Sequence, residues 1–150
     1  MSIQNWREMM ICTFFGHRDC PDSLKPEIFE KIKEQINEGT TEFYVGNNGN
    51  FDALTLSCLR ELKKDYPIIN YTVVLAYIPA KFDIYFPNET LLPEGIELVP
   101  KRFAIDFRNR WMLEIADTVI AYTDHSWGGA AKFVRLAERK GKKVVRLQLE

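Results

Sequence analysis

Apolar positions in this chain follow two alternating rhythms. Residues 10 to 15 (Met-Ile-Cys-Thr-Phe-Phe) form a short β-prone apolar run that stops at Gly16, as a strand buried on both faces would. A turn-rich stretch, His17 to Ser23, comes next. Leu24, Ile28, Phe29, Ile32 and Ile36 then recur at helical spacing, with Asp22 or Ser23 as N-cap and Gly39 as the stop. The pair repeats: Glu42 to Val45 reads as a strand, Gly46 to Asp52 as a polar turn, and Leu54, Cys58, Leu59 and Leu62 as one face of a helix. Tyr71 to Ile78 predicts a third strand. Further on, Phe103, Phe107 and Trp111 mark a helix ending near Ala116, Thr118 to Tyr122 a fourth strand, Ala130 to Lys140 a helix closed by Gly141, and Val144 to Leu147 a fifth strand. Residues 79 to 100 break the rhythm with four of the seven prolines and the aromatics Phe82, Tyr85 and Phe86, which predicts a long loop or lid.

Strands that alternate with helices, and are too apolar to face water, imply a parallel sheet covered on both faces by right-handed crossovers. The expected fold is α/β: a Rossmann-like, doubly wound, five-stranded sheet in the order 3-2-1-4-5. A length of 150 residues suits a single domain over 1–150, and 46% hydrophobic against 27% charged residues is enough to bury a core. No repeat or low-complexity tract is visible beyond this alternation.

Charge removes several partners. Twenty Lys and Arg against 21 Asp and Glu leave a net charge of −1, which disfavours bulk nucleic-acid binding through many phosphates. Apolar runs such as Val73 to Ile78 are too short to span a bilayer, and the start at Ser2, Gln4 and Asn5 lacks the apolar region of a signal peptide. The expectation is a cytoplasmic protein with no membrane partner. Cys12, Cys20 and Cys58 are odd in number and include no C-x-x-C pair, which argues against a disulfide scaffold or structural zinc. Cys12 and Cys58 fall on apolar faces and read as packing residues, Cys20 less plainly so.

Ligands of an open parallel sheet bind past the carboxyl ends of its strands, where strand order reverses. Three loops qualify: Gly16-His17-Arg18-Asp19, then Gly46-Asn47-Asn48-Gly49-Asn50-Phe51-Asp52, then Asp124-His125-Ser126-Trp127-Gly128-Gly129. In the second and third, glycines lead straight into a helix, whose unpaired N–H groups and positive dipole end suit phosphate. Asn47, Asn48 and Asn50 tolerate the left-handed backbone of an anion-binding nest. No P-loop lysine follows either loop and G-x-G-x-x-G is absent, so a P-loop nucleotidase and an ordinary dinucleotide dehydrogenase are both unsupported. Arg18, Arg108 and Arg110 are then the available cations. His17 and His125 offer acid/base or hydrogen-bonding groups, or are simple loop histidines. A metal site formed by the two histidines with Asp19 or Asp124 has no ligand spacing behind it in the sequence, so neither a metal nor a cofactor is expected.

These residues resemble the SLOG superfamily of nucleotide-binding domains, which includes the Smf DNA-processing domains and the Lonely Guy phosphoribohydrolases, and most of all its small YpsA-like bacterial members. Arg108-Asn109-Arg110-Trp111-Met112, then Ala116-Asp117, a strand, and Gly128-Gly129 are similar to the Lonely Guy pattern R-K-x-x-M-x-x-x-(A/S)-D, strand, P-G-G-x-G-T-x-x-E. Gly46 and Asp52 look like the S-G-x-x-x-G-(I/V)-D turn of the Smf type, with Asn50 where its second glycine would be. The family's hydrolytic glutamate falls on Arg135, its Gly-Thr pair on Ala131-Lys132, and its proline on Trp127. A guanidinium cannot stabilise an oxocarbenium-like centre or activate water, so the phosphate-facing loops carry over better than the reaction.

The resemblance implies a module that binds or senses a nucleotide or nucleotide derivative. Phosphate would sit on Gly46 to Asn50 and Gly128-Gly129 with Arg108 pairing to it, and the base or ribose near His17, Trp127 or Tyr122. The alternatives are an N-glycosidic hydrolase using Asp52, Asp19 or Asp124, and a protein-interaction domain with a vestigial pocket. The aromatic lid around Phe82 to Phe86 leaves room for a homo-oligomer.

Overall fold

The computed structural model describes residues 9–80 and 82–148. The polar start at Ser2, Gln4 and Asn5 lies outside the described residues. Six strands, β1 (Met10–Gly16), β2 (Thr40–Val45), β3 (Asn70–Val74), β4 (Thr90–Leu91), β5 (Thr118–Tyr122) and β6 (Lys143–Arg146), form one sheet in the order β4-β3-β2-β1-β5-β6. All neighbouring pairs are parallel. Four helices cover it: α1 (Lys25–Asn37), α2 (Asn50–Asp65), α3 (Lys101–Ile115) and α4 (Gly128–Arg139).

Period-two alternation along the central strands feeds two cores. Cys12, Phe14, Phe43, Val45 and Ile120 pack with Ile28 and Ile32 of α1 and Leu59 and Leu62 of α2. On the opposite face Phe15, Val119 and Ala121 meet Met112 and Leu113 of α3 and Phe133, Val134 and Ala137 of α4. Adjacent residues of β1 and β5 therefore point into different cores, as the buried run 10–15 predicts.

The expected strand count is corrected. The five anticipated strands keep their relative order, but the sheet has a sixth, β4, beyond β3 at the edge. The third strand also ends at Val74 rather than Ile78, although Leu75 N–H still reaches Leu91 O at 2.8 Å. Segment 79–100 is no bare loop: besides β4 it contains short 3-10 turns at Phe82–Ile84 and Ile96–Leu98. A two-residue strand has no periodicity to read, and this one is placed by a distant contact. Glu89, 4% exposed, accepts from Arg60 Nε (2.8 Å) and Nη2 (2.6 Å), Tyr71 Oη (2.7 Å) and Phe86 N–H (3.0 Å), which holds the chain beside β3.

Two smaller corrections bear on the site. Asp22 and Ser23 do not cap α1; they lie in a 3-10 turn, Asp22–Leu24, that precedes it. Helix α4 begins at Gly128 rather than Ala130, so the glycine pair forms the first turn itself. No helix among the described residues is long and apolar enough to cross a membrane.

Candidate functional site

The loops after β1, β2 and β5 meet where β1 lies between β2 and β5, the point at which strand order reverses. They enclose a cavity of about 380 Å³. Of the residues singled out in the sequence, Gly16, His17, Arg18, Asp19, Asn48, Asp52, Arg108, His125, Trp127, Gly128 and Gly129 line it. Gly46, Asn47 and Gly49 line a neighbouring cavity of about 430 Å³, with Asp52 in the wall between the two. Asn50 and Ser126 are in the lining of neither. Asn50 ties loops together: its Nδ2 donates to Cys20 O (2.8 Å) and Asp22 Oδ1 (2.7 Å), and its N–H to Arg18 O (2.8 Å). Ser126 O accepts from Arg135 Nη1 at 2.9 Å, so Arg135 braces the third loop.

Gly16 is required by packing. A Cβ there would fall inside the ring of Phe51, which is fully buried in the first turn of α2. Packing by itself therefore demands glycine at this place on the cavity lining.

Arg108 departs furthest from its expected role. A residue on the middle of a polar-looking helix reads as a free phosphate anchor, yet Arg108 is 2% exposed. Its Nε donates to Asn109 Oδ1 (2.8 Å), Nη1 to Asn47 Oδ1 (3.1 Å) and Val74 O (2.9 Å), and Nη2 to Asn48 Oδ1 (2.7 Å). Four of the five N–H groups of a guanidinium are thus spent on protein oxygens. Arg108 shapes the Asn47–Asn48 turn and joins it to the end of β3. Gly46 makes room for this, since a Cβ there would lie 2.9 Å from both Arg108 Cζ and Asp52 Oδ2. Arg110 is exposed and pairs with Asp106 at 2.7 Å, away from the cavity lining. Among the three arginines considered, the exposed one on the cavity is Arg18.

The two helix N-termini differ for a related reason. At α2, Asp52 in the first turn accepts from Asn48 N–H at 2.9 Å, so a carboxylate already meets the positive end of that helix. At α4, the N-cap Trp127 makes no capping bond, no acidic residue is in the first turn, and Gly128 takes φ +93° to start the helix. Neither helix has a side-chain cap, and of the two only α4 has no carboxylate in its first turn to offset the dipole before an anion arrives.

Burial pushes the Asp52 carboxyl up to about 6, against the opposing pull of Arg108, Asn48 N–H and Arg18. The folded chain therefore holds this proton more tightly than the unfolded chain. Its contribution to stability is present at low pH and lost as pH rises through about 6. Asp52→Asn, which keeps an acceptor for Asn48 N–H, should gain on the wild type between pH 5 and pH 7.5 in urea melts. An equal difference at both pH values would show that Asp52 is not held in this way.

His17 is 5% exposed and its ring stacks on His125 with centroids 3.5 Å apart, which in turn stacks on Trp127 at 3.8 Å. Trp127 is 69% exposed, so the stack ends in an open indole face beside α4. Burial, helped by His125, holds His17 below its ordinary value against the pull of Asp124. The fold brings His17, Asp124 and His125 together although sequence spacing gave no such sign. All three cysteines are free and buried; burial pushes Cys20 up to about 11 and Cys58 up to about 12, so neither is an activated thiol.

No known family model matches this chain, and no curated protein does.

Proposed function

We propose that this chain is a Rossmann-like, SLOG-type domain that binds or senses a nucleotide or nucleotide derivative in the 380 Å³ cavity. The observation that carries this reading is the uncapped N-terminus of α4, opening on the cavity through Gly128 and Gly129 beside an exposed indole. Phosphate oxygens fit the free N–H groups of that turn, with Arg18 as the exposed cation, and a base fits the open face of Trp127. Asn48, which Arg108 holds, and Asp52 line the same cavity. In this reading Arg108 is a positioning residue.

Nucleoside mono-, di- and triphosphates and nucleotide sugars, tested by thermal melting, check the proposal. A ligand at 100 times its dissociation constant adds about 2.7 kcal/mol, which in a domain of this size raises Tm by several degrees. Trp127→Ala, at an exposed position, should lose that rise while keeping the unliganded Tm. Flat curves across the panel would leave the interaction-domain reading in front.

One observation favours a second reading, cleavage of an N-glycosidic bond. Burial raises the Asp52 carboxyl on the cavity wall to about 6, so it can protonate the leaving base while solvent water adds to the anomeric carbon and gives up a proton to bulk water. Release of free base from the same panel, abolished by Asp52→Asn, would distinguish hydrolysis from binding alone.

A further inference from the structure

Two buried imidazole nitrogens have no hydrogen-bond partner among the described residues: Nε2 of His17 and Nδ1 of His125. Both rings line the cavity, and the loop between β5 and α4 brings Asp124 against them. Asp124 Oδ1 is 3.4 Å from His17 Nε2 and 3.6 Å from His125 Nε2, and one ligand atom from each residue lies within 4.8 Å of the others. An imidazole nitrogen and a carboxylate oxygen, each about 2.0–2.1 Å from a tetrahedral metal, stand about 3.3–3.4 Å apart. The spacing from Asp124 to each histidine is close to that value. A buried polar atom without a partner costs stability, and at His17 Nε2, which faces Asp124, a cation shared with the carboxylate and the second imidazole would supply that partner.

We propose that His17, Asp124 and His125 form a binding site for a divalent transition metal, with its fourth position open toward the cavity. Nitrogen and carboxylate donors without thiolate select zinc, nickel or cobalt over calcium or magnesium, which prefer all-oxygen sets. Three protein ligands with one free position is the pattern of a site that takes a further ligand. This inference stands apart from the nucleotide reading, because it rests on the histidine pair and on no contact with phosphate.

Coordination by both rings requires a local movement. A nitrogen lone pair lies in the plane of its own ring, and the two rings are now stacked with 15° between their planes. His17 is buried, whereas His125 is partly exposed on the third loop but sandwiched between His17 and Trp127, so it must leave both stacks to turn. Turning it separates His125 from Trp127, so metal binding changes the environment of that indole.

Titration of the full chain with zinc or cobalt alone, in the absence of nucleotide, tests the site. One metal should bind per chain at micromolar concentration and alter tryptophan fluorescence, and the fluorescence response should vanish in Trp127→Phe while binding by calorimetry persists. His125→Ala and Asp124→Asn should each weaken binding at least tenfold; the Asp124 side chain is 60% exposed, so its replacement leaves the fold intact. A cobalt spectrum without a sulfur charge-transfer band supports the assignment. Such a band would place the metal on a cysteine and overturn it, as would equal binding by wild type and both variants or no binding below millimolar metal.

Discussion

Arg108→Ala should lower the melting temperature of the unliganded protein by on the order of 10 °C. The side chain is buried, and its removal strips partners from Val74 O and from the side-chain oxygens of Asn47 and Asn48. Each stranded acceptor costs about 1–3 kcal/mol where water cannot reach it, and loss of one member of a buried charged network costs about 3–5 kcal/mol in total. At about 2–4 °C per kcal/mol for a domain of this size, the change is large. Asp52 would lose its strongest favourable neighbour at the same time and hold its proton more firmly still. Arg108→Lys keeps the charge but lacks the fork, so its effect should be intermediate. Arg110→Ala is the control: an exposed i,i+4 pair is worth within about 0.5 kcal/mol. A melting temperature for Arg108→Ala within 2 °C of wild type, on the order of the control's own shift, would remove Arg108 from the scaffold and return it to the role of a free anchor.

The second large effect belongs to Glu89. Four donors converge on this one carboxylate: two from Arg60, one from Tyr71 and one from the backbone of Phe86. Burial raises its value, but the bonds from Arg60, Tyr71 and Phe86 outweigh that and hold it below the ordinary range. Burial and the Glu89 hydrogen bond together push Tyr71 up to about 12. Glu89→Ala should cost about 3 kcal/mol or more, because buried donors lose a charged acceptor. The loss should be local first: β4 is only two residues long, and without Glu89 little fixes it beside β3. Amide exchange at Val73 and Leu75, whose N–H groups donate to Glu89 O and Leu91 O, should accelerate before the rest of the sheet, and proteases should cut within 82–98. Because the folded carboxyl titrates low, this stabilisation is present above the ordinary carboxyl range and is lost as pH falls through the folded value. Uniform exchange across the sheet in Glu89→Ala would show that the segment is not held from this point.

The same two residues mark where sequence reasoning stops. Buried parallel strands announce themselves through continuous apolar runs, and amphipathic helices through 3.6-residue spacing, because those patterns are local consequences of which face meets the core. The strands at Met10–Gly16 and Thr118–Tyr122 and the four helices were legible for that reason, and the relative order of five strands followed from the right-handed crossovers their alternation requires. The three loops could also be named, since strand-to-helix turns rich in glycine and asparagine fall at the carboxyl ends of parallel strands whatever the ligand. Side-chain pairing across sequence distance was not legible. Glu89 and Arg60 are 29 positions apart, Arg108 and Asn48 are 60 apart, and nothing in either neighbourhood marks a buried ion or a sixth strand.

Helical periodicity placed Arg108 on a helix but not its side chain beneath a loop from another crossover. The glycine at position 16 signalled a turn, whereas the Phe51 ring that excludes a side chain there arrives from α2. Likewise the sequence supplied His17 and His125 as loop histidines, and only the pairing of β1 with β5 put their rings in a stack with Asp124 alongside. Local pattern determined the elements and the edge of the sheet on which a site could form. Tertiary packing decided which charges are spent inside the scaffold and which remain free to meet a ligand, because desolvation and hydrogen-bond satisfaction depend on neighbours that only the folded chain brings together.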